Sequence, residues 1–158
     1  MKNRKKGFTI VELVIVIAVI AILAAVLIPN LARLVDRANE NSAMQAARNE
    51  YEAYLTEYAK DLEDSVHFVI IKGDYAFEVT NGQFNEKAKA KTDFTTDIAE
   101  KPDLSKGYQV TTDTTKDESK TYYTYANGVY TEATFAAGVY EQTTDDLGSA
   151  EVAIYAIG

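Results

Sequence analysis

The 158-residue chain has no cysteine, a single histidine (His67) and two prolines, Pro29 and Pro102. Without thiols it can form no disulfide, so its fold relies on packing alone. One imidazole and no thiolate leave a histidine-based triad or a His/Cys metal centre almost nothing to draw on. His67 falls in a predicted strand and reads as a strand residue with one face exposed. No glycine-rich phosphate loop occurs among the eight glycines. Positive charge is also scarce, with 16 Lys and Arg against 24 Asp and Glu, a net charge of −8. Nucleic acid held through its phosphates requires a basic patch, so no such contact is expected from the globular part of the chain. These absences describe a protein that is neither an enzyme nor a cofactor carrier.

What the sequence does have is one long apolar run. From Phe8 to Ile28 only Thr9 and Glu12 are polar. As a helix this run is about 31 Å long, close to the hydrocarbon thickness of a bilayer. A carboxylate on such a helix costs about 3 kcal/mol at mid-bilayer and less near the interface, so Glu12 calls for a partner. Directly upstream lies the basic stretch Lys2-Asn3-Arg4-Lys5-Lys6-Gly7. A cut after Gly7 would give Phe8 a free α-amino group, a cation on the same helix end that can neutralise Glu12 within the chain or in a neighbour. It would also remove four cations and make the remainder still more acidic. The basic flank places the N-terminus in the cytoplasm and the rest of the chain outside.

The residues Lys5-Lys6-Gly7-Phe8-Thr9-Ile10-Val11-Glu12-Leu13, followed by the apolar run, resemble the class III signal of type IV prepilins. The resemblance covers roughly the first 35 residues, including Pro29, where many pilins kink the helix, and the rest of the chain carries no family signature. It implies that a membrane aspartyl peptidase cuts between Gly7 and Phe8 and methylates the nitrogen of Phe8. It also implies that Glu12 pairs with the Phe8 amino group of an adjacent subunit during assembly. The expected partners are copies of the same chain in a filament, the prepilin peptidase, the assembly machinery of the cytoplasmic membrane and, before assembly, the membrane itself. The protein is then a structural subunit of a type IV pilus-like filament, first a single-pass membrane protein and afterwards extracellular. Many Gram-negative pilins close their C-terminal region with a disulfide; the lack of one here fits a Gram-positive pilin. Two other functions share much of this evidence: a pseudopilin of a type II secretion or competence system, and a monomeric membrane-tethered adhesin. An ordinary secretory signal or a plain anchor accounts for the basic and apolar segments but leaves Glu12 unexplained.

Downstream, Pro29 removes one helical hydrogen bond and is expected to kink the helix. An amphipathic continuation then runs from Asn30 to Leu62. Ala47, Tyr51, Tyr54, Tyr58 and Leu62 form an apolar stripe bordered by Met44 and Leu55, with Arg48, Glu50, Glu52, Glu57 and Lys60 on the opposite face. The tyrosines read as core residues covering a sheet. Beyond Ser65 the period turns to alternation: strands at Val66–Lys72, Tyr75–Thr80, Tyr108–Thr112, Thr121–Ala126, Val129–Thr134 and Val152–Ile157, with turns at Gly73-Asp74, Asn81-Gly82 and Asn127-Gly128. Glu86–Lys106 reads as a surface excursion with a short helix near Glu86–Lys91. Tyr125–Tyr130 is echoed by Phe135–Tyr140, which suggests successive strands of a meander. Asp145, Asp146 and Glu151 are weak calcium candidates and read as a solvated acidic loop; no other metal site is expected. The expected architecture is α+β: a long kinked N-terminal helix, apolar in its first half and amphipathic in its second, packed on an antiparallel β-sheet (the pilin lollipop). Its segments are a leader at 1–7, a membrane and filament-core helix at 8–29, an amphipathic helix at 30–64 and a β domain at 65–158.

Overall fold

The computed structural model describes residues 7–57, 65–146 and 151–158. Its first element is the helix α1, Ile10–Glu57, which runs 48 residues and passes Pro29 without interruption. The chain divides into two compact units, Met1–Asn39 and Glu40–Gly158.

In the first unit α1 is built mostly from Ile, Val, Leu and Ala as far as Ile28. An α-helix satisfies its backbone groups internally, which a segment of this composition requires in lipid. Pro29 has no N–H to offer the carbonyl of Ala25. One residue on, the side chain of Asn30 adds a donor, with Nδ2 bonding the carbonyl of Val26 at 3.1 Å.

In the second unit the later turns of α1 bury Ala43, Ala47, Glu50, Tyr51 and Tyr54. The stripe therefore forms where expected as far as Tyr54, while Tyr58, Lys60 and Leu62 lie outside the described residues. Glu50 is a correction. It was placed on the solvent face, yet it is 8% exposed. At 100° per residue it lies about 60° from Ala47 and about 40° from Tyr54, on the edge of the buried stripe rather than opposite it.

Two antiparallel sheets follow, where one was expected. The first contains β1 (Phe68–Lys72), β2 (Tyr75–Thr80), β3 (Gln83–Phe84), β4 (Lys89–Ala90) and β9 (Val152–Ala156). Its order is β3-β2-β1-β9, with β4 also pairing to β2. Phe68, Ile70, Phe77, Val79 and Ile154 join the α1 stripe in the main core. On the other side Val69, Ile71 and Ala76 pack with Phe94. With both faces covered, β1 reads as an unbroken apolar run rather than an alternating one. Phe94 belongs to a 3₁₀ turn, Lys91–Phe94, that leads into the one-turn helix α2, Thr95–Ile98. The helical segment thus begins at Lys91, and Lys89–Ala90 within the predicted helix is a strand. Nor is the whole excursion surface, because Pro102, Leu104 and Ser105 are buried. Leu104 N–H donates to Ile154 O at 2.7 Å and Ser105 Oγ to Val152 O at 2.9 Å. Asp103 Oδ1 accepts from Ile154 N–H at 3.0 Å. These bonds cover the outer edge of β9, which would otherwise invite pairing with another chain.

The second sheet contains β5 (Lys106–Val110), β6 (Tyr122–Ala126), β7 (Val129–Ala133) and β8 (Tyr140–Asp146), in the order β5-β8-β6-β7. The β6–β7 hairpin turns at Asn127-Gly128, where φ is 51° and 79°. Positive values at both central residues mark the type I′ turn that Asn-Gly favours. The meander expectation fails beyond this hairpin: β8 pairs with β6 and β5 and not with β7. Tyr108, Tyr123 and Tyr130 join this sheet to the main core. The Tyr108 and Tyr130 rings stack with centroids 3.8 Å apart. Tyr54 on α1 reaches the hairpin directly, donating its hydroxyl hydrogen to the carbonyl of Gly128.

Candidate processing and assembly site

The functional residues singled out by the sequence cluster at the start of α1, and a local hydrogen-bond pattern explains why the helix begins there. Thr9-Ile10-Val11-Glu12 has the form of a capping box, in which residues three apart satisfy each other's free backbone donors. Thr9 N–H and Thr9 Oγ1 both donate to Glu12 Oε2, each at 2.9 Å. Glu12 N–H donates in return to Thr9 Oγ1 at 3.2 Å. The first ladder bond follows from Leu13 N–H to Thr9 O at 3.2 Å. Gly7, Phe8 and Thr9 therefore precede the helix.

Glu12 thus has a partner within its own chain, the neighbouring Thr9, which was not anticipated. Its Oε1 makes no hydrogen bond among the described residues. Phe8 is 85% exposed. At Gly7 an added Cβ would meet nothing within 4 Å, and its φ is not left-handed. Among the described residues nothing sterically or conformationally requires glycine there, so that requirement would come from a binding partner.

Every Val, Leu, Ile and Phe side chain from Phe8 to Val35 is between 46% and 85% exposed. Apolar surface on this scale far exceeds what a soluble monomer leaves in water. The helix is long and apolar enough to cross a membrane. Residues 2–28 match the prokaryotic N-terminal methylation motif. The N-terminal segment is similar to that of a type IV pilin. Over 40 residues the chain is 68% identical to the type IV wide pilus major component PilA4 of Thermus thermophilus. That alignment covers 25% of this chain and 30% of the relative's length. No solved structure matches the chain at a significant level.

Outside the N-terminal segment the remaining candidates show no assembled site among the described residues. Asp145 and Asp146 belong to β8 and not to a loop, and their side chains lie outside the described residues. Glu151, the third weak calcium candidate, is paired with Lys72. The hydrogen bond from that ammonium holds its carboxyl below the usual carboxylate range. Among the described residues no group of three or more candidate ligands is placed to hold a metal. His67 lies just before β1 and extends the β1–β9 ladder: its N–H donates to Gly158 O and its carbonyl accepts from Ile157, both at 2.8 Å. Its Nε2 lies 3.3 Å from Glu78 Oε1. The Thr9 cap, which the sequence reading missed, was signalled by a hydroxyl residue three positions before a glutamate at the head of an apolar run.

Proposed function

We propose that the protein is the structural subunit of a type IV pilus-like extracellular filament. The observation that carries this reading is an apolar helix exposed on all sides, with one carboxylate near its start, inside a prokaryotic N-terminal methylation motif. A prepilin peptidase removes residues 1–7 by cutting between Gly7 and Phe8, and the nitrogen of Phe8 is methylated. Residues 8–29 hold the subunit in the membrane with its N-terminus cytoplasmic, until the assembly machinery moves it into a filament of identical copies. The amphipathic part of α1, up to Glu57, follows the membrane segment, and residues 65–158 form the exported β domain. The role is architectural rather than catalytic.

Glu12 is the assembly residue in this reading. Its Oε2 stays with Thr9 of the same chain, while Oε1 receives the Phe8 ammonium of an adjacent subunit. A charge pair in so apolar a setting contributes more to register than to stability, because a misplaced subunit leaves a charge unpaired. The test is Glu12→Gln as the sole subunit, comparing the sheared surface fraction with the cell-associated pool. Glutamine also serves at this position of a capping box, so the helix start is retained. The variant should be made, inserted and cleaved, yet give little filament. Normal filament yield would remove Glu12 from assembly and take the physical basis of the reading with it.

A further inference from the structure

The capping box lies one residue from the bond that the proposed processing breaks. We propose that Thr9 is a positioning residue for leader removal: by capping α1 at Ile10, it keeps the Gly7–Phe8 peptide outside the helix and open to hydrolysis. This rests on the reading that the leader is cut between Gly7 and Phe8.

The hydrogen bonds show how the cap acts. To run helical through Phe8, the Phe8 carbonyl would need the N–H of Glu12, its partner four residues on. That N–H is held by Thr9 Oγ1 at 3.2 Å. The N–H of Thr9 would likewise have to turn back to a carbonyl in the leader, and it is held by Glu12 Oε2 at 2.9 Å. Both halves of the box thus occupy donors that helix propagation would use. Gly7 acts in the same direction from the other side of the bond, since glycine is a poorer helix former than any residue but proline.

The chemistry makes this conformation matter. Water adds across the Gly7–Phe8 amide: its hydroxyl goes to the Gly7 carbonyl carbon, its proton goes to the Phe8 nitrogen, and the C–N bond breaks. The products are a leader ending in a carboxylate and a chain beginning with the Phe8 ammonium. A helical Gly7 carbonyl would be tied to the N–H of Val11 and screened by the first turn. In an apolar medium a helix that loses its cap gains by extending, because free N–H groups are costly there. Without the Thr9 hydroxyl, α1 then grows through Phe8 and Gly7, and a smaller fraction of precursor is ready to be cut.

The experiment uses the full-length precursor in membranes with the prepilin peptidase, followed by mass spectrometry of the new N-terminus. Thr9→Val keeps the shape and removes the hydroxyl; Thr9→Ser keeps the hydroxyl. At limiting substrate Thr9→Val should be cut about fivefold more slowly, the equivalent of about 1 kcal/mol for a lost N-cap. The loss should appear in KM with kcat unchanged, as expected when only the competent fraction falls. The Phe8 Cα chemical shift should move toward helical values in parallel, and Thr9→Ser should restore both. Wild-type rates with Thr9→Val, or a Ser variant as slow as Val, would overturn the role of the cap while leaving the processing reading intact. A wild-type precursor that is not cut between Gly7 and Phe8 would overturn the processing reading, and the role of Thr9 with it.

Discussion

Tyr54 couples α1 to the second sheet, and its two contributions can be separated by substitution. Its side chain is 3% exposed, its ring meets Phe68 edge-on at 6.0 Å, and its hydroxyl donates to the Gly128 carbonyl in the β6–β7 turn. Gly128 is itself buried, so water cannot readily replace that donor. Tyr54→Phe keeps the ring and leaves the carbonyl unpaired, at a cost of about 1–3 kcal/mol. Tyr54→Ala also removes the ring and opens a cavity, at about 3–5 kcal/mol. For a domain of this size each kcal/mol shifts the melting midpoint by about 4 °C, so the two variants should differ by roughly 8 °C. The assay is thermal and urea unfolding, by circular dichroism, of a chain lacking residues 1–29. That chain should be soluble, folded and monomeric, because the buried part of α1 stays with its sheets. A disordered truncated chain would refute the boundary. An unchanged midpoint for Tyr54→Phe would show that the hairpin does not depend on the hydroxyl, and an unchanged midpoint for Tyr54→Ala would refute the core assignment.

Two further outcomes bear on the N-terminal segment. Gly7→Ala should be processed and Gly7→Leu should not, because the open space at Gly7 leaves the size limit to the peptidase; mass spectrometry that finds the leader removed from Gly7→Leu would exclude such a limit. Ala21→Leu should insert and be cut normally yet lower filament yield several-fold, because close helix approach depends on small side chains; unchanged yield in the sheared fraction would place Ala21 outside the packed surface.

How far the sequence was legible follows from which signals were strong enough to override local composition. The α1 stripe was readable through Ala47, Tyr51 and Tyr54 because its 3.6-residue period is unbroken. Glu50 was misplaced because its charge suggested solvent, although its angle puts it on the edge of the buried stripe. The Asn127-Gly128 hairpin was readable because its turn chemistry allows few alternatives. Strand β8, with the sequence YEQTTDD, has almost no apolar alternation. Its place in the sheet is fixed by pairing to β5 and β6, which no local pattern encodes. The Lys91–Ile98 helical segment is short and mostly polar, and only Phe94 and the partly buried Ile98 pack it on the first sheet. At the N-terminus the basic leader, Gly7, Phe8 and Glu12 were read together. Thr9 was passed over because it looked like an incidental polar residue, whereas its hydroxyl and N–H fix the helix start.

The energetics of the proposed assembly depend on the similarity of two apolar environments. In the membrane the side chains from Phe8 to Val35 would face lipid, and in a filament they would face one another. Moving an apolar side chain between those surroundings changes its exposure to water little, so the hydrophobic effect that drives folding contributes little to extraction. What remains is closer packing through Ala18, Ala21 and Ala25, together with the pairing of Glu12. The carboxylate is unfavourable in the membrane by about 3 kcal/mol at mid-bilayer depth. Its capping bonds from Thr9 offset part of that cost, and a neighbour's ammonium would offset more. A subunit designed only to anchor would gain from replacing Glu12 with an apolar residue. A subunit designed to polymerise gains from keeping it, because the residue least comfortable in lipid is the one that an adjacent chain can best satisfy.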